Sequence, residues 1–191
     1  MGPLIILSGP AGSGKTTLIT RVLETAGLPL RQSISATTRP PRPNERNGVD
    51  YYFLTLQEFE AKIKAGEFLE WVQQYGHYYG TPRAPVDKLR RQGLGVVLVI
   101  DVYGAEQVRR LCPESVTIFV SPSSPEILEQ RLRQRATESE GELQKRLTRA
   151  RAELLRAGEY QFHVTNDDLD MTVRDLTDIL RTQFHRGSHA R

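Results

Sequence analysis

The sequence predicts an α/β fold in three layers, a mostly parallel sheet with helices on both faces. Three observations carry that expectation. Residues 4–7 (Leu-Ile-Ile-Leu), 96–100 (Val-Val-Leu-Val-Ile) and 116–120 (Val-Thr-Ile-Phe-Val) are continuous apolar runs of strand length, as in strands buried on both faces. Stretches of helical length separate them. The first run leads through a glycine-rich turn into a helical segment. With 191 residues, 38% hydrophobic and 26% charged, the chain is sized for one substantial core. Its longest apolar runs are far too short to span a bilayer. The N-terminus has no basic region with a signal-length apolar core, and Ile6 does not fit a myristoylation signal beginning at Gly2. Cys112 is the single cysteine, which argues against a disulfide framework or a Cys-rich zinc site. The expectation is a cytoplasmic protein without membrane attachment.

The turn after the first run reads Gly9-Pro10-Ala11-Gly12-Ser13-Gly14-Lys15-Thr16, the pattern G-x-x-x-x-G-K-[ST]. A helix over residues 17–26, closed by Gly27, follows it. Strand, glycine loop and helix in that order identify a phosphate-binding loop, or P-loop. The glycines let successive N–H groups turn inward toward phosphate oxygens, and the helix N-terminus adds partial positive charge. Lys15 suits the β- and γ-phosphates, and the Thr16 hydroxyl suits Mg²⁺. The chain is therefore expected to bind a nucleoside triphosphate.

Residues 30–38 read as one strand running into Arg39-Pro40-Pro41-Arg42-Pro43. The prolines hold this stretch extended, with two arginines at fixed separation. A stiff loop loses less entropy when its guanidiniums grip an anion. Asn47-Gly48 signals a turn, and residues 50–54 a short strand. Thr55-Leu56-Gln57-Glu58 is a capping box opening a helix to about Ala65, ended by Gly66. Residues 68–74 are a further strand, followed by Tyr78-Tyr79-Gly80-Thr81. Region 34–81 is polar and aromatic and reads as a small binding insertion.

Pro82 is expected to start a helix that ends near Gln92-Gly93. The run 96–100 ends in Asp101, the position from which P-loop proteins organise Mg²⁺ or its waters; a strand-end turn aspartate is the plainer reading. Ser124-Pro125 is a helix start, with Ser at the N-cap and Pro in the first turn. That helix carries Arg131 and Arg135 on one face. A second helix, about 140–157, carries Arg146, with Glu142 spaced to pair with it. Residues 137–141 read as a mobile joint, so the two helices suit a lid. A last strand at 161–164 and a closing helix at 171–184 precede a tail from His185 that is expected to be disordered. The net charge is +3, and arginines crowd residues 39–46 and 131–156. A nucleic-acid binder or an enzyme gripping several phosphates could look like this, but no nucleic-acid fold signature appears.

Over nearly its whole length the chain resembles the guanylate kinase family. The resemblance rests on residues 8–16, Ser35-Ala36-Thr37-Thr38-Arg39 with Arg42, Asn47-Gly48 with Asp50-Tyr51, and Phe68-Leu69-Glu70-Trp71. It continues through Tyr78-Tyr79-Gly80, Arg131 with Arg135 and Arg146, and Asn166-Asp167-Asp168-Leu169-Asp170. It implies a P-loop NTPase core (1–33, 82–123, 159–185), a GMP-binding insertion (34–81), a helical lid (124–158) and a tail (186–191). The implied reaction is phosphoryl transfer from ATP to GMP with Mg²⁺. ATP is implied at Gly9, Pro10, Ala11, Gly12, Ser13, Gly14, Lys15, Thr16 and Thr17, with Arg131, Arg135 and Asn166. GMP is implied at Ser35, Arg39, Arg42, Tyr51, Glu70, Tyr79, Thr81, Asp101 and Arg146. Lys15, Arg39, Arg131, Arg135 and Arg146 are the implied catalytic groups. Thr16 and Asp101 are the implied metal ligands, directly or through water. ATP and GMP are the implied partners, with dGMP left open and no nucleic acid, membrane or obligatory protein partner.

Two positions depart from the family pattern. Where many members read acid-Ile-Asp-x-Gln-Gly, this chain reads Val99-Ile100-Asp101-Val102-Tyr103-Gly104. Two other readings stay open at this point. One is a P-loop kinase for another small phosphate acceptor, such as a phosphorylated ribose. The other is a non-catalytic module that binds phosphorylated peptides.

Overall fold

The structure is a computed structural model that describes residues 1–135 and 140–188; the side chains of residues 135, 142 and 185–188 lie outside that description. The chain opens with β1 (Leu4–Ser8), α1 (Lys15–Thr25) and β2 (Leu30–Gln32). It then builds β3 (Ala36–Thr37), β4 (Tyr52–Phe53), α2 (Leu56–Lys64), β5 (Phe68–Gln74) and β6 (His77–Pro82). Next come α3 (Arg83–Arg91), β7 (Gly95–Val99), α4 (Val102–Leu111) and β8 (Val116–Ser121). The helices α5 (Pro125–Arg135) and α6 (Glu140–Leu154) precede β9 (Phe162–Thr165) and α7 (Leu169–Ser188).

Strands β2, β7, β1, β8 and β9 lie in that order in one parallel sheet. The expected three layers follow from the strand period of two. Ile5 and Leu7 of β1 face one way, with Val97 and Ile118, and meet Leu18, Ile19 and Val22 of α1 and Leu176 and Leu180 of α7. Leu4 and Ile6 face the other way, with Val96 and Leu98, and meet Val86 of α3 and Ala105 and Val108 of α4. A strand buried on both faces needs an unbroken apolar run, which is what β1 and β7 carry. Each fully buried Leu, Ile or Val adds about 1.5–3 kcal/mol.

A second sheet runs β4-β3-β6-β5, with β6 antiparallel to both β3 and β5. Its core is Ala36, Phe59 and Phe68, with Phe59 stacked 4.5 Å from Phe68 and 5.3 Å from Tyr78. The capping box forms as expected: Thr55 Oγ1 accepts the Glu58 N–H at 3.2 Å and Glu58 Oε2 accepts the Thr55 N–H at 2.7 Å. Helices α5 and α6 share a separate cluster of Leu128, Leu132, Leu143, Leu147 and Ala150.

Three sequence expectations are corrected. The single strand over 30–38 is two strands in different sheets, β2 beside β7 and β3 between β4 and β6. Local apolar pattern states that a segment is extended, not which sheet supplies its partners. The first helix begins at Lys15 rather than 17, inside the motif. The last helix runs from Leu169 through Ser188, so His185 continues it. Its start is set by Asp168, whose carboxylate accepts the Met171 N–H at 2.8 Å. Near its end Phe184 packs on the main core and so holds the last turns. Of the predicted joint at 137–141, residues 137–139 lie outside the described residues, while Glu140 and Gly141 belong to α6; the Glu142 side chain of the expected Glu142–Arg146 pair also lies outside the description. Among the described residues no helix is long and apolar enough to cross a membrane.

Candidate functional site

The glycine loop leaves the carboxyl end of β1 and enters α1 with Gly14 as N-cap at φ 88°. A Cβ on Gly14 would lie 2.3 Å from Asn166 Nδ2, so only glycine fits both the backbone angle and the space. Asn166 is buried and donates to the Ser13 carbonyl at 2.8 Å. It therefore braces the loop from the end of β9. Lys15 Nζ donates to the carbonyls of Gly9 (2.6 Å) and Pro10 (2.8 Å), folded back over its own loop.

In front of the loop lies a cavity of about 260 Å³. Gly9, Ala11, Lys15 and Thr16 line it together with Ser35, Tyr51, Glu70 and Tyr79, and Asp101 and Arg146 are in its wall as well. A second hollow of about 530 Å³ adjoins it through Tyr79 and Arg146 and is walled by Arg39, Arg42 and Lys145. Ten expected positions thus meet in one cavity, and two more arginines stand beside it. Among the described residues, Pro10, Gly12, Ser13, Gly14, Thr17, Thr81, Arg131 and Asn166 are not in the wall of either space. The Arg135 side chain lies outside the description.

Glu70 is 3% exposed. Burial pushes its carboxyl up from 4.5 to about 7, with Asp101 adding to the rise; the Thr81 hydroxyl, donating to Oε1 at 2.6 Å, pulls the other way. Thr81 is itself fully buried, so it acts by holding this carboxylate. Gly104, at the start of α4, makes the space: a Cβ there would sit 2.5 Å from Glu70 Oε2.

Arg39 forms a fork with Glu45 at 2.8 and 2.9 Å and lies 5.4 Å over the Tyr51 ring. Glu45 also accepts the Arg42 N–H at 2.8 Å. Its carboxyl is held below the usual range chiefly by the Arg39 bond. The Tyr51 and Tyr79 rings meet edge to face at 6.4 Å. Burial also raises the Tyr51 hydroxyl above its usual range, so it stays a donor at neutral pH.

Asp101 meets the plainer of its sequence readings, a strand-end turn aspartate. Its Oδ1 caps α4 by accepting the Gly104 N–H at 2.7 Å. Its Oδ2 accepts from Arg149 Nη2 at 2.8 Å and from the Gln74 amide. Sequence reasoning missed Gln74, Tyr75, Arg149 and Glu153, all in the cavity wall. It also missed Glu45. The i, i+3 spacing of Arg146 and Arg149 and the i, i+4 spacing of Arg149 and Glu153 were available signals. Val99, one of the two departures, lines the cavity without a charge, and Tyr103 lies beside Arg149, 4.9 Å away.

The comparisons with known proteins agree with one another. The guanylate kinase family model matches residues 1–183. A guanylate kinase of Thermosynechococcus vestitus is 48% identical over 172 residues, covering 90% of each chain. One of Synechococcus sp. is 46% identical over 179 residues, covering 94% of this chain and 82% of the relative. The crystal structure of guanylate kinase from Anaplasma phagocytophilum superimposes with a TM-score of 0.79 at 30% identity, covering 95% of this chain and 86% of that one.

Proposed function

The chain belongs to the guanylate kinase family, and from that membership we infer that it transfers a phosphoryl group from ATP to GMP, giving ADP and GDP. One observation carries the assignment to this cavity. A loop built for the phosphates of ATP and a buried carboxylate suited to guanine face the same space.

Glu70 is the guanine reader in this proposal. Guanine presents N1–H and its 2-amino group side by side, and one carboxylate accepts both; adenine has no such pair and would leave Glu70 unpaired. Ser35 supplements it as a hydroxyl on the same wall. Arg39, Arg42, Tyr51 and Tyr79 supply only donors, as a phosphate dianion requires. Arg39 turns from Glu45 to the phosphate or shares its fork between the two. Lys15 leaves the Gly9 and Pro10 carbonyls for the β- and γ-phosphates.

Thr16 and Asp101 line the cavity and supply oxygen donors of the kind Mg²⁺ takes, so these residues fit the ion and we assign it to them. When bound, it offsets phosphate charge. No general base is needed, because the acceptor phosphate, with a second pKa of about 6, is mostly dianionic at neutral pH. Alignment of acceptor and donor, and cation contacts from Lys15, Arg39 and Arg146, lower the barrier. Arg131 and Arg135 join from α5 when the α5–α6 pair closes as a lid, which excludes water and limits ATP hydrolysis. Residues 34–81 are the acceptor-binding part in this scheme. A cytoplasmic location goes with this reading, since ATP and GMP are soluble nucleotides.

ADP release with Mg-ATP and GMP, AMP, UMP, CMP or ribose phosphates tests the reading. Turnover with GMP and not with the others is expected. Turnover only with a ribose phosphate would transfer the cavity to another acceptor.

A further inference from the structure

Three parts of the molecule meet at Arg149. From the second sheet come Gln74 and Tyr75, at the β5–β6 turn. From the main-sheet rim come Asp101 and Tyr103, at the start of α4. From α6 come Arg146, Arg149 and Glu153. The Arg149 guanidinium touches all three. Nη2 donates to Asp101 Oδ2 at 2.8 Å and Nε donates to Glu153 Oε1 at 2.8 Å. Its carbon lies 4.9 Å over the Tyr103 ring and 5.8 Å over the Tyr75 ring. The side chain is 24% exposed, and Glu153 is 4% exposed. A fork between two carboxylates, flanked by two rings, holds its direction far better than a solvated arginine does. Tyr75 takes φ 51°, the only positive φ among the described residues other than glycine, and with Gly76 at φ 79° it forms the tight two-residue β5–β6 turn that presents its ring.

We propose that Arg149 is a positioning residue for phosphoryl transfer, fixing Asp101 and locking α6 to both the core rim and the β5–β6 turn. It rests on the kinase reading above and adds to it a residue outside the expected set. Two consequences follow from the geometry. Arg149 sets the orientation of the Asp101 carboxylate, which shares the cavity with Lys15 and Thr16. It also sets how α6 presents Arg146, one turn earlier on the same face. Without it, Asp101 and Glu153 face the phosphates as two carboxylates lacking their shared cation.

Steady-state kinetics on Arg149→Ala, Arg149→Lys, Asp101→Asn and the Asp101→Asn/Arg149→Ala double variant test the proposal. Arg149→Ala is expected to lower kcat at least tenfold, with KM for GMP and ATP within threefold. Lysine keeps the charge but cannot serve two carboxylates as a fork, so Arg149→Lys should recover part of the loss. In the Asp101→Asn background the alanine change should cost less than twofold, because its main effect runs through Asp101. A second readout is independent of turnover. Trp71 is the single tryptophan and lines a hollow with Tyr103, Gln107 and Arg149, so its emission reports this junction. Its change on adding ATP or GMP should fall by at least half in Arg149→Ala. A folded Arg149→Ala with wild-type kcat would overturn the proposal, whatever its melting temperature. So would an undiminished effect in the Asp101→Asn background. Should the alanine variant not fold, wild-type kcat and Trp71 response in Arg149→Lys would overturn it. Absence of GMP turnover in the wild-type protein would sink the assigned reaction instead, and the Trp71 response to ATP would still decide the role of Arg149.

Discussion

Glu70 concentrates the conflict between stability and function in one residue. Its folded pKa is raised from 4.5 to about 7 by burial. A raised pKa means that the folded state favours the protonated form. The stability Glu70 contributes is then fully present below about pH 4.5 and is lost as pH rises through about 7. The accumulated loss by pH 8 is about 3 kcal/mol. The neutral, isosteric Glu70→Gln should therefore gain urea resistance over the wild type at pH 8 and little at pH 4.5. An equal difference at both pH values would contradict a buried, ionising carboxylate. Binding has the opposite sign, because only the carboxylate accepts both guanine donors. Wild-type kcat/KM for GMP should fall as pH drops through about 7, and Glu70→Gln should lose that limb along with most GMP activity. Retention of the limb in the variant would assign it to the acceptor phosphate.

At the scale of elements, helix starts build the site. The N-terminus of α1 carries Lys15 and Thr16, and that of α4 carries Asp101 and Gly104. Asp101 caps α4 through the Gly104 N–H, so the same turn holds the carboxylate and opens the space for Glu70. Gly104→Ala would push a methyl to within 2.5 Å of Glu70 Oε2. Helical propensity alone would make this change favourable by roughly 1 kcal/mol. The expected outcome is a loss of GMP affinity of tenfold or more with ATP affinity kept within twofold, read by titration of each nucleotide. Unchanged GMP affinity would mean that Glu70 moves freely and does not depend on α4.

At the scale of the whole molecule, four apolar clusters surround one cavity. The main sheet has its own core on each face, the second sheet packs around Phe59 and Phe68, and α5–α6 pack around Leu128 and Leu147. Some contacts between these parts are polar: Arg149 to Asp101, in the cavity wall, and Arg156 to Glu106 join α6 and the turn after it to α4. Apolar cores keep their shape, while polar contacts at a wet boundary exchange for ligand contacts at little net cost. Ligands are thus expected to stabilise the protein by mass action, each by about 2.7 kcal/mol at one hundred times its Kd. Thermal melts should rise with ATP and with GMP, and further with a non-transferring pair of both. A melt that does not respond to GMP would place the acceptor site elsewhere.

The amino-acid sequence by itself determined the three-layer fold class, the P-loop and most helix and strand positions. Their signals are local: apolar runs, glycine spacing, and a capping box within four residues. It also singled out Lys15 through the P-loop and Asp101 through the strand it ends, and Glu70 and Arg146 through the resemblance to the guanylate kinase family. Tertiary structure decided the rest. It split residues 30–38 between two sheets, because pairing partners lie far along the chain. It turned Asn166 onto the Ser13 carbonyl, 153 positions away, and locked Arg39 to Glu45 within a proline-stiffened loop. It carried the last helix through His185, since Phe184 found the main core. It brought Arg149 to Asp101 across 48 positions and set Tyr103 against it. A side chain's reach is a few ångströms, so its chemistry belongs to whichever residues the fold brings inside that distance, and spacing along the chain does not state which these are.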